Sequence, residues 1–276
     1  MTPRITLNDA TTIPQLGYGL HRVDPARAQE LVETALEIGY RHLDTAHIYG
    51  NEDAVGRAIA ASGLPREELY VTTKLWNDRH GDASAALGES LDKLGLDRVD
   101  LYLIHWPRPA QNLYLDAWKS LIELRAEGLT TSIGVSNFQL EHLAKLENET
   151  DVTPAVNQVE LHPLFQNWKD LDAMRVHGMA IEGWAPLGGG YYDLEDYPEI
   201  TDAAEAHGVT PAQVVLRWHI QNNVIVFPKT TSAERMRENF DIFNFELTPD
   251  EMAAIISLDE EEFGRQGPHP GDYEDA

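Results

Sequence analysis

Cysteine is absent from the 276-residue chain. That excludes disulfides, thiolate nucleophiles, zinc ribbons and iron–sulfur clusters, and leaves histidine and carboxylates as the only strong metal ligands. Long apolar runs are missing as well. Nowhere do about 18 consecutive hydrophobic residues occur, and none follow Met1-Thr2-Pro3-Arg4, so a cytoplasmic protein without a membrane span is expected. Basic residues are scarce, with 21 Lys and Arg against 46 Asp and Glu and a net charge of −25. A surface this negative repels nucleic-acid backbones and anionic headgroups, so neither nucleic acid nor membrane is an expected partner. Any anionic ligand then needs a local basic patch. Short phosphate and hydrolase motifs are also missing: there is no G-x-G-x-x-G after an apolar run, no P-loop, no H-E-x-x-H and no G-x-S-x-G.

What is present is a beat of roughly 30 residues, in which short apolar runs alternate with longer amphipathic segments. The runs are Leu16–Leu20, Arg41–Asp44, Tyr70–Leu75, Leu101–His105, Ile133–Ser136, Ala155–Gln158, Ala180–Trp184 and Val224–Pro228. Helix starts are marked by the capping boxes beginning at Thr210 and Thr248, each with proline at the first helical position, and by a third beginning at Thr231. Eight strand–helix units without a linker or composition break predict an α/β fold, a (β/α)8 TIM barrel forming one domain over residues 1–276. Arg4–Pro14 reads as a β-hairpin that could plug the barrel floor. Residues 259–276 form an acidic tail, with Asp259, Glu260, Glu261, Glu262, Asp272, Glu274 and Asp275 against Arg265 and with Pro268 and Pro270 opposing helix. Two readings of it stand: a solvated tail, or a flap over the barrel mouth.

Barrel enzymes carry their sites at the carboxyl ends of the strands. Here those ends are polar: Asp44, Lys74, His105, Ser136-Asn137, Asn157-Gln158, Trp184 and Pro228-Lys229-Thr230. Plain structural roles exist for each, with Asn137 capping a helix, His105 bonded in the core, Trp184 packing, and Asp44 with Lys74 forming a buried ion pair. Tyr49, five residues past Asp44 in the same loop, favours chemistry, because a phenol beside an ammonium is a better proton donor or acceptor at neutral pH. With His105 available to orient an oxygen, the set points to acid catalysis at a carbonyl. A second cluster, Lys229, Arg235 and Arg237, stands at a predicted helix start in an otherwise acidic chain, where a phosphate would dock.

These residues carry a resemblance. Gly39-Tyr40-Arg41-His42-Leu43-Asp44-Thr45-Ala46-His47-Ile48-Tyr49-Gly50-Asn51-Glu52 resembles the aldo-keto reductase signature, Gly134-Val135-Ser136-Asn137-Phe138 its second, and Phe227-Pro228-Lys229-Thr230 through Glu238-Asn239 its third. Within the family, Lys74-Leu75-Trp76-Asn77-Asp78-Arg79 and Gly183-Trp184-Ala185-Pro186-Leu187-Gly188 look most like the bacterial 2,5-diketo-D-gluconate reductases. The resemblance implies NADPH-dependent reduction of a small carbonyl substrate without a metal. Tyr49 would be the general acid, Lys74 the cation lowering its pKa, Asp44 the partner of Lys74, and His105 the group orienting the carbonyl. It further implies that Ser136, Asn137 and Gln158 hold the nicotinamide carboxamide while Trp184 stacks on the ring. Leu187 and Gly188 would approach the pyrophosphate. Lys229, Thr230 and Arg235 would take the 2′-phosphate, and Glu238 and Asn239 would face the adenine. Ala46, Trp76 and Trp106 would line the substrate pocket together with His105, and Arg79 or His47 could meet a substrate carboxylate. Other readings remain open at this point: a metal hydrolase through His42, His47, His105 and His162, a glycosidase using Glu160 and Glu182, or a cofactor-binding regulatory subunit. A monomer is the expected assembly.

Overall fold

Parallel strands form the centre of the computed structural model, which describes residues 2–273. Met1 and residues 274–276, with them Glu274 and Asp275 of the acidic tail, lie outside the described residues. The chain opens with β1 (Arg4–Thr6) and β2 (Thr12–Pro14), an antiparallel hairpin in which Ile5 faces Ile13. Then come β3 (Tyr18–Gly19), α1 (Pro25–Ile38), β4 (His42–Asp44), α2 (Glu52–Ala61), β5 (Tyr70–Leu75), α3 (Ala83–Leu94) and β6 (Val99–Ile104). The second half continues with α4 (Tyr114–Ala126), β7 (Thr130–Ser136), α5 (Leu140–Thr150), β8 (Val156–Glu160), α6 (Trp168–Val176) and β9 (Ala180–Trp184). After α7 (Pro198–His207) and α8 (Pro211–Gln221) comes β10 (Val224–Val226), followed by α9 (Ala233–Phe240) and α10 (Pro249–Ile256).

Strands β3 to β10 pair in chain order, all parallel. A parallel bridge from Leu16 to Val226, with Gly17 N donating to the Val226 carbonyl at 2.9 Å, joins the last strand to the first and closes the barrel. This is the (β/α)8 fold expected from the beat of the sequence. It departs from strict alternation in two places, since β9 and β10 are each followed by two helices.

Local chemistry explains the helix ends. Thr210 accepts from Gln213 N while the Gln213 side chain accepts from Thr210 N, and Thr248 and Glu251 do the same at α10, both as expected. The third expected box is corrected. Helix α9 is capped by Ser232, whose Oγ accepts from Arg235 N, one residue later than the Thr231 box required. The Thr230 hydroxyl accepts from Ser232 N, so the chain turns once more before the helix begins.

Apolar packing holds the barrel in a large shell and a smaller one, with a third cluster joining α7, α8 and α10 outside it. The larger lies between strands and helices. The smaller fills the floor, where Leu7 and Ile13 of the hairpin pack on Tyr70, Leu101, Leu103, Val156, Ile225 and Phe227. Burying two such side chains contributes about 1.5–3 kcal/mol each, an upper estimate because the unfolded chain is not fully extended. Asn8 Nδ2 donates to the Pro154 carbonyl and Thr11 Oγ1 meets Ser132 Oγ at 3.0 Å, so polar contacts also seat the plug. With the floor sealed, the mouth is the end left for chemistry.

Candidate active site

Four side chains converge at the mouth. Lys74 is fully buried on β5, and its Nζ donates to Asp44 Oδ1 of β4 at 2.7 Å and to the Thr45 carbonyl at 2.9 Å. The same ammonium lies 5.1 Å from the centre of the Tyr49 ring, which a short 3-10 turn (His47–Tyr49) folds back over the rim. His105, just past β6, stands edge-on to Tyr49 at 5.7 Å and to Trp76 at 5.0 Å.

The environment sets the charge states. Burial alone would lower the Lys74 pKa, but Asp44 and Tyr49 outweigh it and hold the ammonium above the ordinary lysine value. Burial also raises the Tyr49 phenol, and the Lys74 charge and hydrogen bond pull it down without cancelling the rise. The expected lowering by Lys74 is therefore real as a contribution, while the net direction is upward. His105 is pushed well below the usual histidine value by burial, then by Lys74 and His21, so it is neutral at neutral pH. Its Nδ1 has no hydrogen-bond partner among the described residues. The site thus presents a protonated phenol, a neutral imidazole and a fixed cation around one opening.

Asn137 ties the rim together. Its backbone is left-handed at φ +63°, a conformation asparagine tolerates, and this turns the side chain across three strands. Nδ2 donates to the His105 carbonyl and to Ser136 Oγ, while Oδ1 accepts from Trp184 Nε1 at 2.8 Å. Helix α5 is capped by Gln139 with His142 instead, so the capping role considered for Asn137 does not apply. Ser136 Oγ donates to the Gln158 carbonyl, and Gln158 Nε2 donates both to Asp44 Oδ2 at 2.9 Å and to Glu182 Oε2 at 2.8 Å. Ser136, Asn137, Gln158 and Trp184 are thus brought together as expected, although the Gln158 amide nitrogen is directed into the barrel.

On the far side of the mouth, Lys229 and Arg235 are exposed and have no ion-pair partner among the described residues, while Asn239 is buried. The Thr230 carbonyl accepts from Tyr18 Oη at 2.8 Å, which fixes the turn into α9. Lys229 is near enough to His21 to help lower its pKa. Arg237 does not join this group. It lines, with Glu238, His207, Gln213, Asp241 and Asn244, a separate open cavity of about 490 Å³ beside α8. Leu187 is partly buried, and Gly188, at φ +76°, packs against the Tyr192 ring where no side chain would fit.

Ala46 and Trp106 are buried and Trp76 is partly buried around His105. The tail completes this wall. Glu160, at the end of β8, accepts from Gln266 N at 2.7 Å and from Gly267 N at 3.0 Å, which lays the tail across the mouth. Gly267 meets the Trp184 indole so closely that a Cβ would collide with it, and Tyr273 packs on Trp106 at 4.4 Å. Over its described residues, 259–273, the tail reaches the mouth as the flap reading expects. Arg79 is held by Glu89 and Asp82, and His47 faces Glu52 and Lys93, so neither is free to meet a substrate carboxylate.

The hydrolase readings find no geometry. His42 is bonded to Thr72 and the Pro14 carbonyl, Glu160 is committed to the tail, and among the described residues no three His, Asp or Glu groups converge as a metal site. Sequence reasoning missed His21, whose ring lies 5.1 Å from Tyr49. It follows the first barrel strand, and the strand-end rule applied there points to it.

Comparison with known proteins agrees with this geometry. The Aldo/keto reductase family profile matches residues 14–260. A Mycolicibacterium smegmatis aldo-keto reductase is 50% identical over 272 residues, 98% of each chain. The Escherichia coli K12 protein named methylglyoxal reductase DkgA is 46% identical over 270 residues, 98% of this chain and 97% of its own. A Gox0644 mutant solved in complex with NADPH superposes with a TM-score of 0.94 at 42% identity, covering 99% of each chain. With a closed (β/α)8 barrel and Asp44, Tyr49, Lys74 and His105 gathered at its mouth, this chain belongs to the aldo/keto reductase family and is an oxidoreductase.

Proposed function

We propose that the chain reduces aldehyde and ketone carbonyls to alcohols with NADPH, and that small dicarbonyls such as methylglyoxal or 2,5-diketo-D-gluconate are its substrate class. The observation that carries this reading is the Lys74 ammonium held between Asp44 and Tyr49 beside a neutral His105. The name of the Escherichia coli relative supports the substrate class. An apolar wall of Trp76, Trp106 and Ala46 around one polar centre suits a small carbonyl.

The residues fit the cofactor. Lys229 and Arg235, two exposed cations without an ion-pair partner among the described residues in a chain of net charge −25, suit a 2′-phosphate, with Thr230 following Lys229 and Asn239 at the adenine end; Glu238, which also borders the cavity beside α8, would face the adenine only from its edge. Ser136, Asn137 and Gln158 would hold the carboxamide, Trp184 would stack on the ring, and Leu187 and Gly188 would flank the pyrophosphate. When bound, NADPH supplies a hydride from its nicotinamide. His105, neutral, donates a hydrogen bond to the substrate oxygen. Tyr49 releases its proton to that oxygen, and Lys74 stabilises the phenolate left behind. Asp44 keeps Lys74 charged. The one-domain organisation, the monomeric state and the cytoplasmic setting expected from the sequence belong to the same proposal.

Turnover of a panel of 2,5-diketo-D-gluconate, methylglyoxal, an aromatic aldehyde and a simple ketone, followed by NADPH absorbance and repeated with NADH, tests the reading. Binding of NADPH with no reduction of any of them would overturn it. Arg235→Ala is expected to weaken NADPH about tenfold or more and NADH hardly at all, since only the former carries the 2′-phosphate. Equal losses in a fluorescence titration would remove the phosphate role from Arg235. Because Tyr49 sits above the ordinary phenol value of 10.0, its own ionisation should end reduction only above that pH, with alcohol oxidation rising over the same range. A reduction rate lost altogether near neutral pH would exclude Tyr49 as the donor.

A further inference from the structure

Among the buried ionisable groups that the mechanism leaves unused, Glu182 is the one tied by a shared hydrogen-bond donor to the catalytic ion pair. Glu182, on β9, is completely buried inside the barrel, in register with Gln158 on one side and Ile225 on the other. Its Oε2 accepts from Gln158 Nε2, and its Oε1 has no hydrogen-bond partner among the described residues. The same Gln158 nitrogen donates to Asp44 Oδ2, whose other oxygen, Oδ1, holds Lys74. A single amide therefore spans two carboxyl groups on opposite parts of the sheet. Two carboxylates sharing one donor in a dry interior repel each other, so the pair is comfortable only when one is neutral. Asp44 is matched by a cation and Glu182 is not.

We propose that Glu182 is a positioning residue for the reduction: through Gln158 it fixes the second oxygen of Asp44, and with it the ammonium that Asp44 holds beside Tyr49. This inference rests on the carbonyl-reductase reading of the same site and adds to it a control residue one layer deeper. The ionisable groups that face Glu182 are Asp44 from β4 and Lys74 and Tyr70 from β5; the side chains beside it on β8 and β10, Gln158 and Ile225, do not titrate. Burial, then the Asp44 charge, pushes the Glu182 carboxyl up to about 8, while Gln158 and Lys74 pull it down. Glu182 accordingly holds its proton at neutral pH and gives it up as the pH rises past about 8. Ionisation adds a negative charge behind Asp44 and Lys74, which strengthens the hold of Tyr49 on its proton and makes it a weaker acid. Reduction should then drop to a lower plateau as the pH rises through the Glu182 transition, before the separate loss that follows ionisation of Tyr49.

The test compares the wild type with Glu182→Gln, which keeps the shape and cannot ionise. The wild type should show a step in kcat for reduction of about three- to tenfold centred near pH 8, and Glu182→Gln should show none. NADPH affinity should be the same in both. Infrared difference spectra of the unliganded protein between pH 6 and pH 9 should contain the loss of one protonated carboxyl band, absent in Glu182→Gln. This readout needs no turnover and can be made on the wild type alone should the variant fold poorly. A step in kcat that survives in Glu182→Gln overturns the proposal, as does a wild type with no such band. Failure of the carbonyl-reductase reading looks different: no substrate is reduced at any pH, while the band still reports the state of Glu182.

Discussion

Tyr49→Phe lowers carbonyl reduction by roughly two to four powers of ten, the usual contribution of a positioned general acid, which corresponds to about 3–5 kcal/mol of transition-state stabilisation. The fold should survive, because phenylalanine keeps every contact the ring makes: His21 at 5.1 Å, His105 at 5.7 Å and the Lys74 ammonium at 5.1 Å. Only the hydroxyl is removed. NADPH affinity should stay within about twofold, since the loss concerns an interaction that matters when the proton moves. A cofactor fluorescence titration beside steady-state kinetics separates the two effects. Unchanged turnover would move the acid role to another group. His105 is one neighbour that could take it, but burial and Lys74 hold it neutral, so a rate falling with rising pH near the acid end would be its signature.

The barrel was legible because its signals are local. Each strand is a short apolar run, and each polar strand end, Asp44, Lys74, His105 and Asn137, follows directly from where a run stops. The hairpin was legible for the same reason, with Ile5 and Ile13 placed to face each other across a turn. What escaped depends on partners distant in the chain. The tail over the mouth is held by Glu160, 106 residues before Gln266, and composition alone could not tell a flap from a solvated end. The Gln158 bridge joins residues 114 and 24 positions away, so nothing around Gln158 announces that its amide serves two carboxyl groups. The cap of α9 lies one residue further on because Thr231 and Ser232 are both good N-cap residues, and the Thr230 hydroxyl, accepting from Ser232 N, adds a turn that favours the second although only the first has a glutamate three residues on. The net position of the Tyr49 phenol is hidden for a related reason: the sequence shows the cation that lowers it and not the depth of burial that outweighs the cation.

Asp44→Ala should damage stability and turnover together, and its pH dependence distinguishes the causes. Lys74 has no exposure to solvent, and without Asp44 its ammonium keeps only neutral acceptors, the Thr45 carbonyl at 2.9 Å and the Tyr49 hydroxyl, among the described residues. Removing one partner of a buried pair costs about 3–5 kcal/mol. For a chain of this size that corresponds to a fall in Tm of roughly 6–15 °C. In the wild type the Lys74 pKa is raised, so the stability it contributes is present throughout the neutral range and is lost only as pH rises through that raised value. In the variant, burial acts without Asp44 to oppose it, and the lysine pKa falls. The sign then reverses: the folded state prefers the neutral amine, unfolding takes up a proton at neutral pH, and the deficit should shrink as pH climbs toward the unfolded lysine value near 10.4. Thermal melts of both proteins from pH 6 to pH 10 read this directly. Turnover should not recover over the same range, because a neutral Lys74 no longer supports the Tyr49 phenolate. A deficit in Tm that is equal at every pH would mean that Asp44 acts through packing, and an Asp44→Ala protein that still reduced carbonyls at the wild-type rate would detach the Asp44–Lys74 pair from the chemistry.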